Sequence, residues 1–176
     1  HLEDLFHALR FAFLILTQQK ELYVLHSASF LYRGRAFLVS GSSGTGKSTH
    51  SALWHDLYQT PLLNGDLNLL GIRNSIPYAY GLPWCGTSGI CTPKDYPLGG
   101  IIFLNQAAID QVQSLQPDEK VLHILQRMIS PAWTKELLLR NLHFSEALAP
   151  LIFSCRLYCT KEPSAARTLK AAIDAL

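Results

Sequence analysis

Residues 36–49 read Ala36-Phe37-Leu38-Val39-Ser40-Gly41-Ser42-Ser43-Gly44-Thr45-Gly46-Lys47-Ser48-Thr49. An apolar run passes into a glycine- and serine-rich bend, and a helix-compatible stretch follows as far as Tyr58. Gly41, Gly46, Lys47 and Ser48 satisfy the pattern G-x-x-x-x-G-K-[ST]. Average residue usage would produce that pattern in a chain this size with odds on the order of one in a hundred. The strand before it and the helix after it are the context the pattern needs. Glycine lets successive backbone N–H groups turn inward around an anion without a Cβ in the way. The helix that follows adds the partial positive charge of its first turn. Lys47 brings a point charge for β- and γ-phosphates, Ser48 a hydroxyl for Mg²⁺, and Thr49 a cap or support.

The rest of the chain is read outward from that bend. The apolar spacing of Leu2, Leu5, Phe6, Leu9, Phe13 and Leu16 predicts an amphipathic helix over residues 2–19. Residues 22–32 are rich in β-formers and predict a strand, and Arg33-Gly34-Arg35 a turn into the strand at 36–40. Beyond the helix at 47–58, a short strand is expected at 62–64. A hairpin of 67–72 and 76–80 should close around Arg73-Asn74-Ser75. Residues 81–100, dense in Gly and Pro, read as a long loop, which at that length is usually functional or mobile. Strands are expected at 101–105, 111–115 and 153–159. Helices are expected at 117–129, 131–147 and 163–175. There is no repeat and no linker, so residues 1–176 are read as one α/β domain with a mixed sheet.

The chain has 176 residues, 48% of them hydrophobic and only 16% charged, which excludes a disordered tail or a charged nucleic-acid arm. A formal net charge of +2 supplies no field for a phosphate backbone, so a nucleic-acid partner is not expected. The apolar stretch at residues 9–17 is about half the length of a bilayer-spanning helix. No small-residue cleavage site follows it, so neither a membrane span nor a signal peptide is expected. Cys85, Cys91, Cys155 and Cys159 are read as reduced thiols of a cytoplasmic protein. Their spacings are not those of a zinc ribbon, and Cys155 and Cys159 on one strand would lie roughly 13 Å apart.

A phosphate-binding bend does not say what reacts. Phosphoryl transfer also needs a carboxylate for the metal or the acceptor proton. Asp66 is the candidate, because it follows the short strand at 62–64, where a strand-end acid would face the phosphates. The equal alternative is a turn or cap residue after Gly65. His26 lies on the strand before the bend. A lone strand histidine is more often a satisfied core residue than a ligand, and both readings stay open.

Three of these segments together resemble the catalytic domain of HPr kinase/phosphorylase, whose phosphate-loop fold is shared with phosphoenolpyruvate carboxykinases. Leu25-His26-Ser27-Ala28 resembles the histidine strand that precedes the loop. Residues 43–49 resemble the S-G-x-G-K-[ST] loop, and Gly65-Asp66 the acidic segment. Residues 80–86, Tyr80-Gly81-Leu82-Pro83-Trp84-Cys85-Gly86, and the late Cys155-Arg156-Leu157 strand are similar to the small bacterial HPr-kinase-related proteins.

The resemblance implies a phosphate-loop kinase domain with a mixed sheet flanked by helices, using ATP and Mg²⁺. The acceptor would be a serine or threonine hydroxyl of a peptide, a small protein or a free amino acid. It implies Lys47 on the phosphates, Ser48, Asp66 and His26 around the metal, and Asp66 receiving the acceptor proton. Residues 83–89 would border the acceptor, with Trp84 either packing a peptide or anchoring the loop. HPr kinases assemble as hexamers, so a homo-oligomer is among the expectations. Asp66-Leu67 replaces the usual pair of acids, which argues against phosphorylase activity. No set of arginines for a carboxylate substrate such as oxaloacetate is recognisable, and carboxykinase activity is not expected. The competing readings are a nucleotide-binding regulatory module without turnover and, more distantly, an ATPase coupled to motion.

Overall fold

The helix that follows the phosphate-type bend forms where its sequence predicts it. In the computed structural model, which describes residues 2–176, it spans Lys47–Tyr58. In chain order the elements are α1 (Leu2–Gln19), β1 (Tyr23–Tyr32), β2 (Arg35–Ser40), α2 (Lys47–Tyr58), β3 (Leu62–Asn64), β4 (Leu67–Arg73) and β5 (Ile76–Tyr80). Then come β6 (Tyr96–Gln106), β7 (Gln111–Ser114), α3 (Pro117–Arg127), α4 (Lys135–Leu148), β8 (Phe153–Cys159) and α5 (Pro163–Asp174). The β4–β5 hairpin turns through Asn74 and Ser75, both with positive φ (52° and 62°), the geometry of the tight turn that joins twisted strands.

Three boundaries differ from the sequence reading by two residues or more. β6 begins at Tyr96, inside the stretch expected to be loop. Its glycines mark close packing: a Cβ on Gly99 would lie 2.6 Å from the Phe37 ring, and one on Gly100 2.7 Å from the Phe153 carbonyl oxygen. α4 begins at Lys135 because Thr134 caps it, its hydroxyl accepting from the Leu137 N–H at 3.2 Å. α3 stops at Arg127 because the next residues join the sheet. Leu25 bridges Met128 in antiparallel fashion, and the Ile129 N–H donates to the Val24 carbonyl at 2.9 Å.

The sheet is mixed. β2, β6 and β8 run parallel to one another, and the other pairings are antiparallel. β1 changes partner along its length: residues 23–26 pair with β4, and residues 27–32 with β2. β6 does the same, pairing with β5 near its start and with β2 and β8 further on. The pairings β1–β4–β5–β6–β2–β1 therefore close into a ring, with β3, β8 and β7 attached outside it.

Strand alternation sorts the core onto two faces. Leu38, Ile101 and Phe103 pack with Ile124, Phe144 and Leu148 of α3 and α4. Val39, Ile102 and Leu104 pack with Trp54 of α2 and with Ala166, Leu169 and Ile173 of α5. Cys155 and Cys159 sit in that second layer, where burial pushes their thiols up to about 12 and about 11. α1 departs from the amphipathic reading. Leu5, Phe6, Leu9 and Leu16 are exposed, and the helix is held through Leu14, Thr17 and Gln18. Gln18 donates to Asn141 Oδ1 at 2.7 Å and to the Pro131 carbonyl at 2.8 Å. No helix among the described residues is long and apolar enough to cross a membrane.

His50 of α2 is buried, and its Nε2 accepts from Trp54 Nε1 at 3.2 Å. Burial pushes its pKa down to about 4, with Asp110 opposing the shift. It is therefore neutral in the fold and titrates near 6.5 when unfolded. The stability this gives is complete above about pH 6.5 and is lost as the pH falls toward 4, a drop on the order of 3 kcal/mol. His50→Gln, which keeps an acceptor for Trp54, should flatten that part of the pH–stability curve. Urea unfolding at pH 7.5, 5.5 and 4.5 reads it, and equal slopes for both proteins would refute it.

Candidate active site

The bend of residues 41–46 joins the buried end of β2 to the start of α2. Gly44 and Gly46 take left-handed φ values of 77° and 98°, which the sequence supplies as glycine at no steric cost. A Cβ at Gly41 would lie 2.6 Å from Thr45 Oγ1, so that glycine is required by close approach. Thr45 Oγ1 donates to the Ser42 carbonyl at 2.8 Å, and Gln106 Nε2 at the end of β6 donates to the Gly44 carbonyl at 3.0 Å. Lys47 folds back over the bend, its Nζ donating to the Gly41 and Ser42 carbonyls at 3.1 and 3.2 Å. Ser48 and Thr49 stand exposed in the first turn of α2.

His26 and Asp66 come together beside this bend. His26 Nδ1 lies 3.9 Å from Asp66 Oδ1, with both side chains part-exposed. The backbone enforces the meeting. His26 is in register with Leu67, the Ser27 N–H donates to the Asp66 carbonyl at 3.0 Å, and Ser40 Oγ donates to the His26 carbonyl at 2.7 Å. Burial and then the Lys47 ammonium push the His26 pKa below its ordinary value, while Asp66 opposes them. The imidazole is thus neutral at pH 7. Lys47 is likewise lowered, by burial and then by Arg127, with Asp66 opposing. The charges of Lys47 and Asp66 both reach His26, and that of Asp66 reaches Lys47, so these sequence-predicted residues share one neighbourhood.

A polar layer that the sequence reading missed supports them. Asn64 Oδ1 accepts from the N–H groups of Asp66 and Leu67 at 2.9 and 3.0 Å, and its Nδ2 donates to the Trp84 carbonyl at 2.9 Å. Ser29 Oγ donates to Asn68 Oδ1 at 2.7 Å, and Asn68 Nδ2 donates to the Ser27 carbonyl at 2.8 Å. Asn64 and Asn68 are buried, and the bonds to Leu67, Ser29 and Ser27 are made away from water. Gly86, with φ 59°, lies against the acid: a Cβ there would be 2.8 Å from Asp66 Cβ. Trp84 anchors its loop, its ring centroid 4.4 Å from that of Phe13 of α1 at a tilt of 51°, within a cluster that includes Leu67 and Leu82. The side chain of Thr87, also expected to border the acceptor, lies outside the described residues.

Asp66 and Ser48 are oxygen donors suited to a hard cation that arrives with phosphates and takes only one or two protein ligands. The imidazole nitrogen of His26 suits such an ion less well. Among the described residues, no group of three or more His, Cys, Asp or Glu is placed to hold a metal.

The structure also brings together two arginines that no motif connects. A cavity of about 430 Å³ opens beside residues 41–45, and Arg127, Arg156, His123 and Tyr158 line it.

No protein-family model matches the chain, and no curated protein matches it. Among solved structures, the chain is similar to the Hpr(Ser) kinase/phosphatase from Coxiella burnetii. The identity is 10%, with 86% of this chain and 93% of that chain covered and a TM-score of 0.45.

Proposed function

We propose that the protein is an ATP-dependent kinase that transfers the γ-phosphoryl group to a serine or threonine hydroxyl. The acceptor would be a peptide, a small protein or a free amino acid. The observation that carries this reading is the meeting of a lysine, a neutral imidazole and a carboxylate at the rim of a glycine-rich bend opening onto a helix. In this reading the N–H groups of residues 41–46 and the start of α2 hold the β-phosphate, and Lys47 leaves the Gly41 and Ser42 carbonyls for the β- and γ-phosphates. Ser48 and Asp66 would hold Mg²⁺, which when bound neutralises charge between the β- and γ-phosphates.

The acceptor oxygen attacks the γ-phosphorus as its proton passes to the Asp66 carboxylate. The bond from phosphorus to the bridging oxygen breaks, and ADP leaves. His26, neutral at pH 7, faces the transferred group as a hydrogen-bonding partner rather than as a second cation. Transfer of this kind depends mainly on positioning and charge, so few groups suffice.

The test is incubation of the full chain with Mg-ATP and candidate acceptors: free serine, hydroxyl-bearing peptides and an HPr-like protein. Phosphorylated acceptor is the expected product. ATP binding with neither transfer nor hydrolysis would instead identify a nucleotide-binding module, the reading favoured by Leu67 standing where a second acid would be.

A further inference from the structure

The cavity beside the bend has walls of unlike readiness. Arg156 is already engaged. It donates to His123 Nε2 at 2.7 Å, to Gln113 Oε1 at 3.3 Å and to the Tyr158 hydroxyl at 3.4 Å, and Glu119 lies 3.9 Å behind it. His123 accepts from Arg156, and its pKa is lowered by burial, then by Arg156, with Glu119 opposing and Arg127 adding to the fall. It is a neutral wall.

Arg127 differs: its Nε is buried and, among the described residues, has no hydrogen-bond partner. Among the described residues no carboxylate lines the cavity. Arg127 is also held next to the candidate chemistry. It ends α3, and the antiparallel bridge of Leu25 with Met128 puts Arg127 opposite His26 in the continued register. Arg127 thus lines the cavity, and its charge reaches both His26 and Lys47.

A buried guanidinium N–H without a partner is costly, and the group that completes a guanidinium best is a planar anion accepting two parallel N–H bonds. The cavity volume falls in the range of small-molecule sites. A residue within a peptide has no carboxylate next to its hydroxyl, because its carbonyl is an amide. Resting on the kinase reading above, we propose that the Arg127 end of this cavity, next to the residues 41–45 that take the phosphates, is the acceptor subsite and that its occupant is a small hydroxy carboxylate, such as a free hydroxyamino acid. Arg127 pairs with the carboxylate and so presents the hydroxyl to His26 and Asp66.

The test uses the full chain and reads binding by protein NMR, without turnover. The probes are L-serine and D-glycerate, with L-serinamide as the uncharged-end control, and inorganic phosphate. A non-hydrolysable ATP analogue with Mg²⁺ is titrated separately. The acids should bind at least about tenfold more tightly than the amide, and Arg127→Met should remove that preference. Arg127→Lys, which keeps charge but loses the fork, should restore it only in part.

Equal binding of acid and amide would overturn the proposal. So would phosphate displacing neither acid, or Arg127→Met weakening the ATP analogue as strongly as the acids, since Arg127 would then serve the nucleotide. Failure of the kinase reading itself shows differently, as no binding of the ATP analogue to the unaltered protein.

Discussion

Lys47→Ala should weaken Mg-ATP binding by at least about 100-fold, the loss of charge-assisted bonds to two phosphates at a helix start. The fold should survive, because the ammonium touches only the Gly41 and Ser42 carbonyls of its own bend. Calorimetric titration of ATP reads the loss, and a thermal melt checks the fold. A second signature separates this from general damage. Lys47 holds the His26 pKa down, so its removal should raise that pKa toward the ordinary value, visible in an NMR titration of the imidazole. Unchanged ATP affinity with an unmoved His26 titration would remove the phosphate-binding role from residues 41–49.

Asp66→Asn should divide binding from chemistry. The backbone of Asp66 makes the structural bonds, its N–H to Asn64 Oδ1 and its carbonyl from the Ser27 N–H, and an isosteric amide leaves both in place. ATP affinity should therefore stay within a few-fold, while phosphoryl transfer falls by about 10²–10⁴-fold. Asp66 raises the His26 pKa, so the variant should also titrate His26 lower than the parent. Single-turnover kinetics with radiolabelled ATP measures the first effect. A variant with full transfer rate would exclude Asp66 as the group receiving the proton.

Much of this neighbourhood is legible in the sequence because local rules fix it. The bend, its glycines and α2 follow from one nine-residue pattern, and β3 ends where an apolar run meets Gly65-Asp66. β8 begins and ends at Phe153 and Cys159, as its β-forming run predicts. What escaped is non-local. Gly99 and Gly100 look like loop residues until Phe37 and Phe153 are seen pressing on them. Asn64 and Asn68 read only as strand positions, yet they are buried and serve as the frame for Asp66 and His26. Arg127 carries no pattern at all. Its place depends on a helix end that leaves its helix to bridge β1, roughly one hundred residues back. The exposed apolar side of α1 is the opposite case, a clear periodicity whose burial is not supplied by this fold.

The closed circuit of five strands leaves few open edges for another chain to join. Apart from β3, which is three residues long, the outer edge belongs to β7, four residues reading Gln111-Val112-Gln113-Ser114 and mostly exposed. A long, flat, apolar edge invites uncontrolled strand addition, and a short polar one discourages it. A chain that is almost half hydrophobic thus keeps its stickiest strands, β2 and β6, sealed on both flanks, so that self-association into fibrils would first require breaking the circuit.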